Sequence, residues 1–282
     1  MSGSHHDGPV SDDAGTGGGE PSAGPVDVVG LALEIRAECG KAGLDVPAGA
    51  ERGLAAYAAR LWAWNERLNL TRHTDVPRFV ARDVADAVAV AARLAPGERV
   101  LDVGTGGGVP GVLLAILRPD LRVELADSVG KKARAVRGIV AEAGLSIPVH
   151  EGAAQQLVAG RGPRDRFDTL VVRAVAPLVK LLGWFEPIAD RYGRMLVIKG
   201  PRWEEEKGEA RHRGLVKKVS VRRVAAWPIP DSDNESVLLE VRARDIAPPG
   251  RDAPAIGGDA PDAGTRPPKA GNKRPSPGRR KP

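Results

Sequence analysis

The sequence predicts an α/β protein: a doubly wound, mostly parallel sheet of seven strands with a helical cap ahead of it. Three observations predict this. A short apolar strand, Arg99-Val-Leu-Asp102-Val, runs into a glycine-rich turn and then an apolar helix. After that turn the chain alternates strand-like and helix-like segments, the pattern of a parallel sheet covered on both faces. Two β-rich runs follow, linked by the turn formers Pro228-Ile-Pro-Asp-Ser-Asp-Asn, which predict a closing antiparallel hairpin.

Residues 1–25 are rich in Gly, Ser, Asp and Pro, with little to bury, and are expected to be disordered. Residues 26–96 are expected to form the cap. There Leu54, Tyr57, Ala58, Leu61 and Trp62 recur at helical spacing, ahead of a polar end, Trp64-Asn65-Glu66-Arg67-Leu68-Asn69-Leu70-Thr71. A second helix is expected from Pro77 to Leu94, with Thr74 and Asp75 as cap candidates. Residues 97–246 are expected to form the sheet domain. Its strands are expected at 99–103, 122–126, 147–150, 167–173 and 194–199, its helices near 111–117, 130–143, 153–158 and 177–190. A charged helix from about Trp203 to Arg213 precedes the hairpin runs Val219 to Trp227 and Ser236 to Ala243. Residues 247–282 are rich in Pro, Gly, Lys and Arg and are expected to be a second disordered tail.

The 282 residues carry 42 Lys and Arg against 36 Asp and Glu, a formal net charge of +6. The charge is split along the chain, with roughly −5 in the first ~27 residues, about +5 in the last ~32 and about +6 between them. A basic domain beside a basic tail suggests an anionic partner, although such tails also serve only to solubilise. The single Cys39 excludes an internal disulfide and a cysteine metal cluster, and the five histidines are scattered without metal-ligand spacing. No apolar run approaches membrane-spanning length and no signal peptide is visible, so a cytoplasmic protein without membrane contact is expected, acting as a monomer.

The loop Gly104-Thr-Gly106-Gly-Gly108-Val109-Pro-Gly111 reads as a nucleotide-type cofactor site, with helix N–H groups expected to face the ligand. Gly106-Gly-Gly108-Val-Pro-Gly111 matches the dinucleotide pattern G-x-G-x-x-G, but its register differs. The first glycine after the strand is Gly104, and Val109 stands where the third glycine of a dinucleotide fold would pack. Asp102, two residues before Gly104, would repel a pyrophosphate, whereas it can orient the loop and favour a cation such as the sulfonium of S-adenosylmethionine. The register therefore favours S-adenosylmethionine over NAD, with a ligand-free glycine turn third.

Ligand contacts should cluster at the strand ends. Asp127 follows Val123-Glu-Leu-Ala at the distance where an acid binds ribose hydroxyls, and it can equally cap the helix beginning near Lys131. His150-Glu-Gly152-Ala-Ala154-Gln155-Gln156 falls where an adenine would be gripped. Arg173 ends an apolar strand, where an unpaired cation is costly, so it should face a cleft or pair with an acid. Lys199 ends the next strand. Two cations around one cleft suit a phosphate-bearing substrate, though each can also be a side chain reaching the surface.

Taken together, Trp64-Asn65-x-x-x-Asn69-Leu70-Thr71, the loop from Leu101 to Gly111, Ala126-Asp-Ser-Val-Gly-Lys-Lys132, Val172-Arg-Ala174 and Lys199-Gly200 resemble the RsmG (GidB) family, over about residues 50–243. The resemblance implies a class I S-adenosylmethionine-dependent methyltransferase with a Rossmann-like sheet. It implies transfer of a methyl group to N7 of a guanine in 16S ribosomal RNA, with that RNA or the small subunit as partner. By position the family's cofactor contacts fall on Gly104, Val109, Ala154, Gln155 and Arg173, with Asp127 at the ribose; the loop reading adds Asp102, Gly106 and Gly108 as cofactor-binding residues, and Arg173 and Lys199 are read as positioning groups for base or phosphate. The chain departs from the family pattern at Gln155, where an acid is common, at Val172, where Ser is common, and at Arg82-Asp83, where a basic-His pair is common. Guanine N7 has its own lone pair, so no general base is needed and no catalytic dyad is expected. A small-molecule methyltransferase, a non-catalytic RNA-binding protein and an NAD-dependent oxidoreductase remain the alternatives.

Overall fold

The computed structural model describes residues 27–229 and 232–244; both expected tails, 1–25 and 247–282, lie outside the described residues. The seven strands form one sheet in the order β3-β2-β1-β4-β5-β7-β6. They are β1 (Arg99–Val103), β2 (Arg122–Asp127), β3 (Val149–Glu151), β4 (Phe167–Arg173), β5 (Tyr192–Lys199), β6 (Val219–Pro228) and β7 (Glu235–Ala243). The first five run parallel, and β7 pairs antiparallel with both β5 and β6. The hairpin predicted from the Pro228–Asn234 turn signals is therefore present, and it finishes the sheet. β3 begins at Val149 rather than at 147 and forms the sheet's far edge. Pro148 has no N–H for the ladder and contributes only its carbonyl, to Leu125 N.

The strands carry apolar side chains on both faces, as a sheet covered on two sides requires. Val100, Val123, Leu125, Val171 and Leu196 join one core with residues of α1 (Val28–Lys41), α2 (Ala50–Leu68), α4 (Ala85–Ala91), α5 (Gly111–Leu117) and α6 (Gly130–Glu142). Leu101, Val103, Leu170, Val172 and Val197 join the other, with α7 (Ala154–Ala159), α8 (Leu178–Phe185) and α9 (Trp203–His212). The helix expected over 177–190 ends earlier as an α-helix, because Pro187 follows and a 3₁₀ turn, Glu186–Ile188, takes over.

The cap differs most from expectation. α1 has no counterpart in the sequence reading: Val28, Val29, Leu31 and Leu33 ring the helix without forming a stripe, and Val29 and Leu33 stay exposed while Ala32, Ile35 and Cys39 are buried. The helix expected from Pro77 to Leu94 exists, but it is interrupted. α3 (Val76–Arg78), capped by Asp75 Oδ1 on Arg78 N at 2.9 Å, passes into a π-helical turn, Phe79–Val84, before α4. Such turns add a residue to the helical repeat and recur at functional sites. Here the turn carries Asp83 into the protein, where it is 1% exposed.

Candidate functional site

The carboxyl ends of β1, β2 and β4 meet the loop that leaves α2, and a cavity of about 570 Å³ opens between them. Gly104, Thr105, Gly106, Gly107 and Val109 form one wall, Arg173 and Ala174 another, and Asn69 to His73 with Asp83 a third. A second cavity of about 370 Å³ lies at the end of β3, bounded by Ala126, His150, Gly152 and Gln156.

The glycine loop is shaped from beneath by Asp102. Its carboxylate, 1% exposed, accepts from Thr105 Oγ1 at 2.6 Å and from Gly111 N at 2.9 Å through Oδ2. Burial pushes the Asp102 carboxyl up to about 6, against the lowering effect of those two hydrogen bonds. Gly111 is required for this approach: a Cβ there would lie 2.7 Å from Asp102 Oδ2 and 2.3 Å from Leu125 Cδ2. Gly104 and Gly106 have φ of 67° and 59°, conformations that side chains disfavour, and the Cβ position of Gly106 has no atom within 4 Å. The bare backbone of Gly106 therefore faces open space. The helix N–H groups expected to face a ligand are already engaged: Gly111 N by Asp102, and Val112 N by Gly108 O at 2.7 Å. Gly108 lies behind the wall rather than in it, fully packed.

Asp127 closes the loop from the β2 side. Its Oδ2 accepts from Gly106 N and its Oδ1 from Val129 N, both at 2.8 Å. It does not cap α6, which starts at Gly130 after Val129 with no side-chain cap. Ala154 and Gln155 open α7 beside the smaller cavity; Ala154 is buried, and it is Gln156 that lines that cavity.

Arg173 both faces the cleft and pairs with acids. Nη2 lies 2.7 Å from Asp83 Oδ1 and Nε lies 3.0 Å from Asp86 Oδ2. Burial alone would lower the guanidinium, but these two carboxylates hold it above its ordinary value. Desolvation raises Asp86 in spite of Arg173 and of the Trp227 indole N–H at 3.0 Å. Asp83 Oδ2, Asp102 Oδ1 and Arg173 Nη1 are the buried side-chain polar atoms without a partner among the described residues, and Asp83 and Arg173 line the larger cavity. The sequence reading noted Asp83 only as a departure from the family pattern and did not single out Asp86 or His73. The available signal was two acids three residues apart in an otherwise apolar helix, since buried acids need cationic partners.

Lys199 lies outside the larger cavity. Its ammonium donates to Ala176 O at 2.7 Å and pairs with Glu206 at 2.7 Å, while Glu206 Oε2 accepts from Leu178 N at 2.6 Å. Lys199 thus braces the turn after β4, in which Ala174 takes φ 55°, and its charge is met by Glu206. The two cations expected around one cleft are not brought together there: Arg173 lines it and Lys199 does not.

The Trp64–Thr71 motif has a structural explanation. Asn69 ends α2 in the left-handed region at φ 45°, and Asn65 Oδ1 accepts from Thr71 N at 2.8 Å. Trp64 donates from Nε1 to Glu142 at 3.0 Å, and its ring leaves room only for glycine at position 138. Together they fold the chain back so that Leu70 packs on Gly107.

The GidB family model, described as rRNA small subunit methyltransferase G, matches residues 50–232. The chain is 46% identical over 186 residues to the ribosomal RNA small subunit methyltransferase G of Rhodopirellula baltica, covering 66% of this chain and 78% of that one. It is 38% identical over 204 residues to that of Mycolicibacterium paratuberculosis, covering 71% and 76%. It is 34% identical over 205 residues to that of Yersinia enterocolitica, covering 72% and 94%. The family match takes in the α2 motif, the glycine loop, Asp127, Arg173 and Lys199, and the chain belongs to the GidB family of rRNA small subunit methyltransferases.

Proposed function

We propose that this chain transfers a methyl group from S-adenosylmethionine to N7 of a guanine in 16S rRNA, acting as a cytoplasmic monomer on that RNA or on the small subunit. The observation that carries this reading is one cavity at the strand ends, bounded by the open backbone of the glycine loop and by the Asp83–Arg173 pair. Asp83 and Asp86 pair with Arg173, Asp102 and Asp127 hold the glycine loop, and Arg72 and Lys132 line the same cavity. Asp127 at the tip of β2 stands where ribose hydroxyls can be accepted, and Arg72, Lys132 and Arg173 give the cavity the positive charge that an RNA backbone requires. No helix of the described residues is long and apolar enough to cross a membrane.

When bound, S-adenosylmethionine supplies a methyl group on a positively charged sulfur. Gly104, Gly106 and Val109 would hold it through backbone, Asp127 through its ribose, and Ala154 and Gln155 on the adenine side. Asp102 keeps the loop in shape from below through Thr105 and Gly111. Positive charge moves from sulfur to the purine during the reaction, and Asp83 and Asp102 are held by their partners before it moves, so they act on it without reorganising. The chain is not required to move a proton, because N7 carries its lone pair already. Its task is to hold the nitrogen in line with the methyl group and to keep water out.

Incubation with labelled S-adenosylmethionine and small subunits lacking the modification, followed by mapping of the methylated base, tests this. Label at a single guanine N7 is the expected result. Turnover of a small molecule without RNA, or tight binding of a nicotinamide dinucleotide with none of the methyl donor, overturns it.

A further inference from the structure

We propose that His73 is a positioning residue for the target base, its Nε2 lone pair accepting a hydrogen bond from the N–H groups on the Watson–Crick edge of guanine. The proposal rests on the guanine reading above and names the group in this chain that recognises that base.

His73 is held on every side but one. Its backbone N–H donates to Thr71 Oγ1 at 3.0 Å and its carbonyl accepts from Trp62 Nε1 at 2.8 Å. Trp62 is itself set edge-on against Phe79, at 6.0 Å between ring centroids. Inside the protein, His73 Nδ1 lies 2.9 Å from Asp83 Oδ1, the same oxygen that Arg173 Nη2 reaches at 2.7 Å. Asp83 is 1% exposed, whereas the His73 side chain is 22% exposed and lines the larger cavity with Arg173 and the glycine loop.

A carboxylate oxygen that already takes a guanidinium proton can only accept, so the neutral imidazole carries its hydrogen on Nδ1. That leaves a lone pair on Nε2. This atom is not among the buried polar atoms without a partner, and no hydrogen bond to it occurs among the described residues. A locked ring thus offers one acceptor to the cavity. Guanine presents N1–H and N2–H donors on its Watson–Crick edge; adenine has a lone pair at N1 and no amino group at C2, so an acceptor facing those two positions meets donors in guanine and none in adenine, whose N6 amino donor lies at the other end of the edge. Contact at that edge leaves N7, on the other side of the base, free to face the methyl donor. Hydrogen bonds to an unstacked base at its Watson–Crick edge are a usual means of reading it.

The test pairs His73 variants with base analogues. Wild type, His73→Ala and His73→Gln are compared on RNA carrying guanosine, inosine (no N2 amino group) or 1-methylguanosine (no N1–H) at the target. Wild type should lose about 10- to 100-fold in kcat/KM on one analogue. His73→Ala should show a similar loss on guanosine and no further loss on that analogue. His73→Gln, whose amide oxygen can accept, should recover part of the activity and serves as the working variant if His73→Ala folds poorly. Affinity for S-adenosylhomocysteine should stay within about twofold in both variants. Multiplying penalties of base and side chain, or a cofactor-affinity loss as large as the loss in kcat/KM, overturns the assignment. A wild-type enzyme that does not methylate guanosine RNA overturns the underlying reading instead.

Discussion

Asp102→Asn should make the protein more stable at neutral pH and less able to bind its cofactor. The wild-type carboxyl is fully buried and raised to about 6 by desolvation, from an ordinary value of 3.8. A carboxyl raised in the folded state binds more protons there than when unfolded, so its ionisation subtracts stability as pH rises through the interval between those values. Two pK units correspond to about 3 kcal/mol, of which about half develops between pH 5 and pH 8. Asparagine is isosteric, and its carbonyl can still accept from Gly111 N and Thr105 Oγ1, the bonds now made by Oδ2. The stability difference between variant and wild type should therefore grow by about 1.4 kcal/mol from pH 5 to pH 8. Urea unfolding at several pH values measures it, with the variant as the reference that cancels every other titrating group. Binding calorimetry at pH 8 supplies the second half: loss of the negative charge should weaken S-adenosylmethionine more than its neutral product S-adenosylhomocysteine. A pH-independent stability difference, or equal losses for the two ligands, would refute the electrostatic reasoning.

Arg173→Ala leaves Asp83 and Asp86 buried without their cation and should cost about 3–5 kcal/mol in thermal or urea unfolding, together with methyl transfer; unchanged methylation would remove Arg173 from the site. Gly111→Ala places a Cβ against Asp102 and Leu125, so a destabilisation of about 1–3 kcal/mol from overpacking is expected, with weaker cofactor binding by calorimetry as the glycine loop is displaced. Asp127→Ala removes the acceptor for both Gly106 N and Val129 N. Affinity for S-adenosylmethionine and S-adenosylhomocysteine should fall about equally, by roughly tenfold or more, because the group acts on loop and ribose rather than on the sulfonium.

The sheet, the glycine loop and the two acids that hold that loop were legible in the sequence. Apart from β3, Val149-His-Glu, the parallel strands are short runs with an apolar centre, so strand order along the chain, the final hairpin and the acids at the tips of β1 and β2 are written locally. The glycine loop is equally local, since positive φ and a backbone approach to Asp102 are demands on single residues. What only tertiary structure decided is who neutralises whom. Arg173 was expected to face a cleft or meet an acid, and it does both, but its partners Asp83 and Asp86 arrive from a different helix through a π-helical turn that no periodicity announces. Lys199 is drawn away by Glu206 of α9, and His73 acquires meaning only beside Asp83. α1 escaped notice because its apolar residues surround the helix, and its packing against α2, not its own pattern, selects the buried side. Backbone conformation follows from neighbours in sequence, whereas the pairing of buried charges depends on distances that exist only once the sheet and its cap have closed on each other.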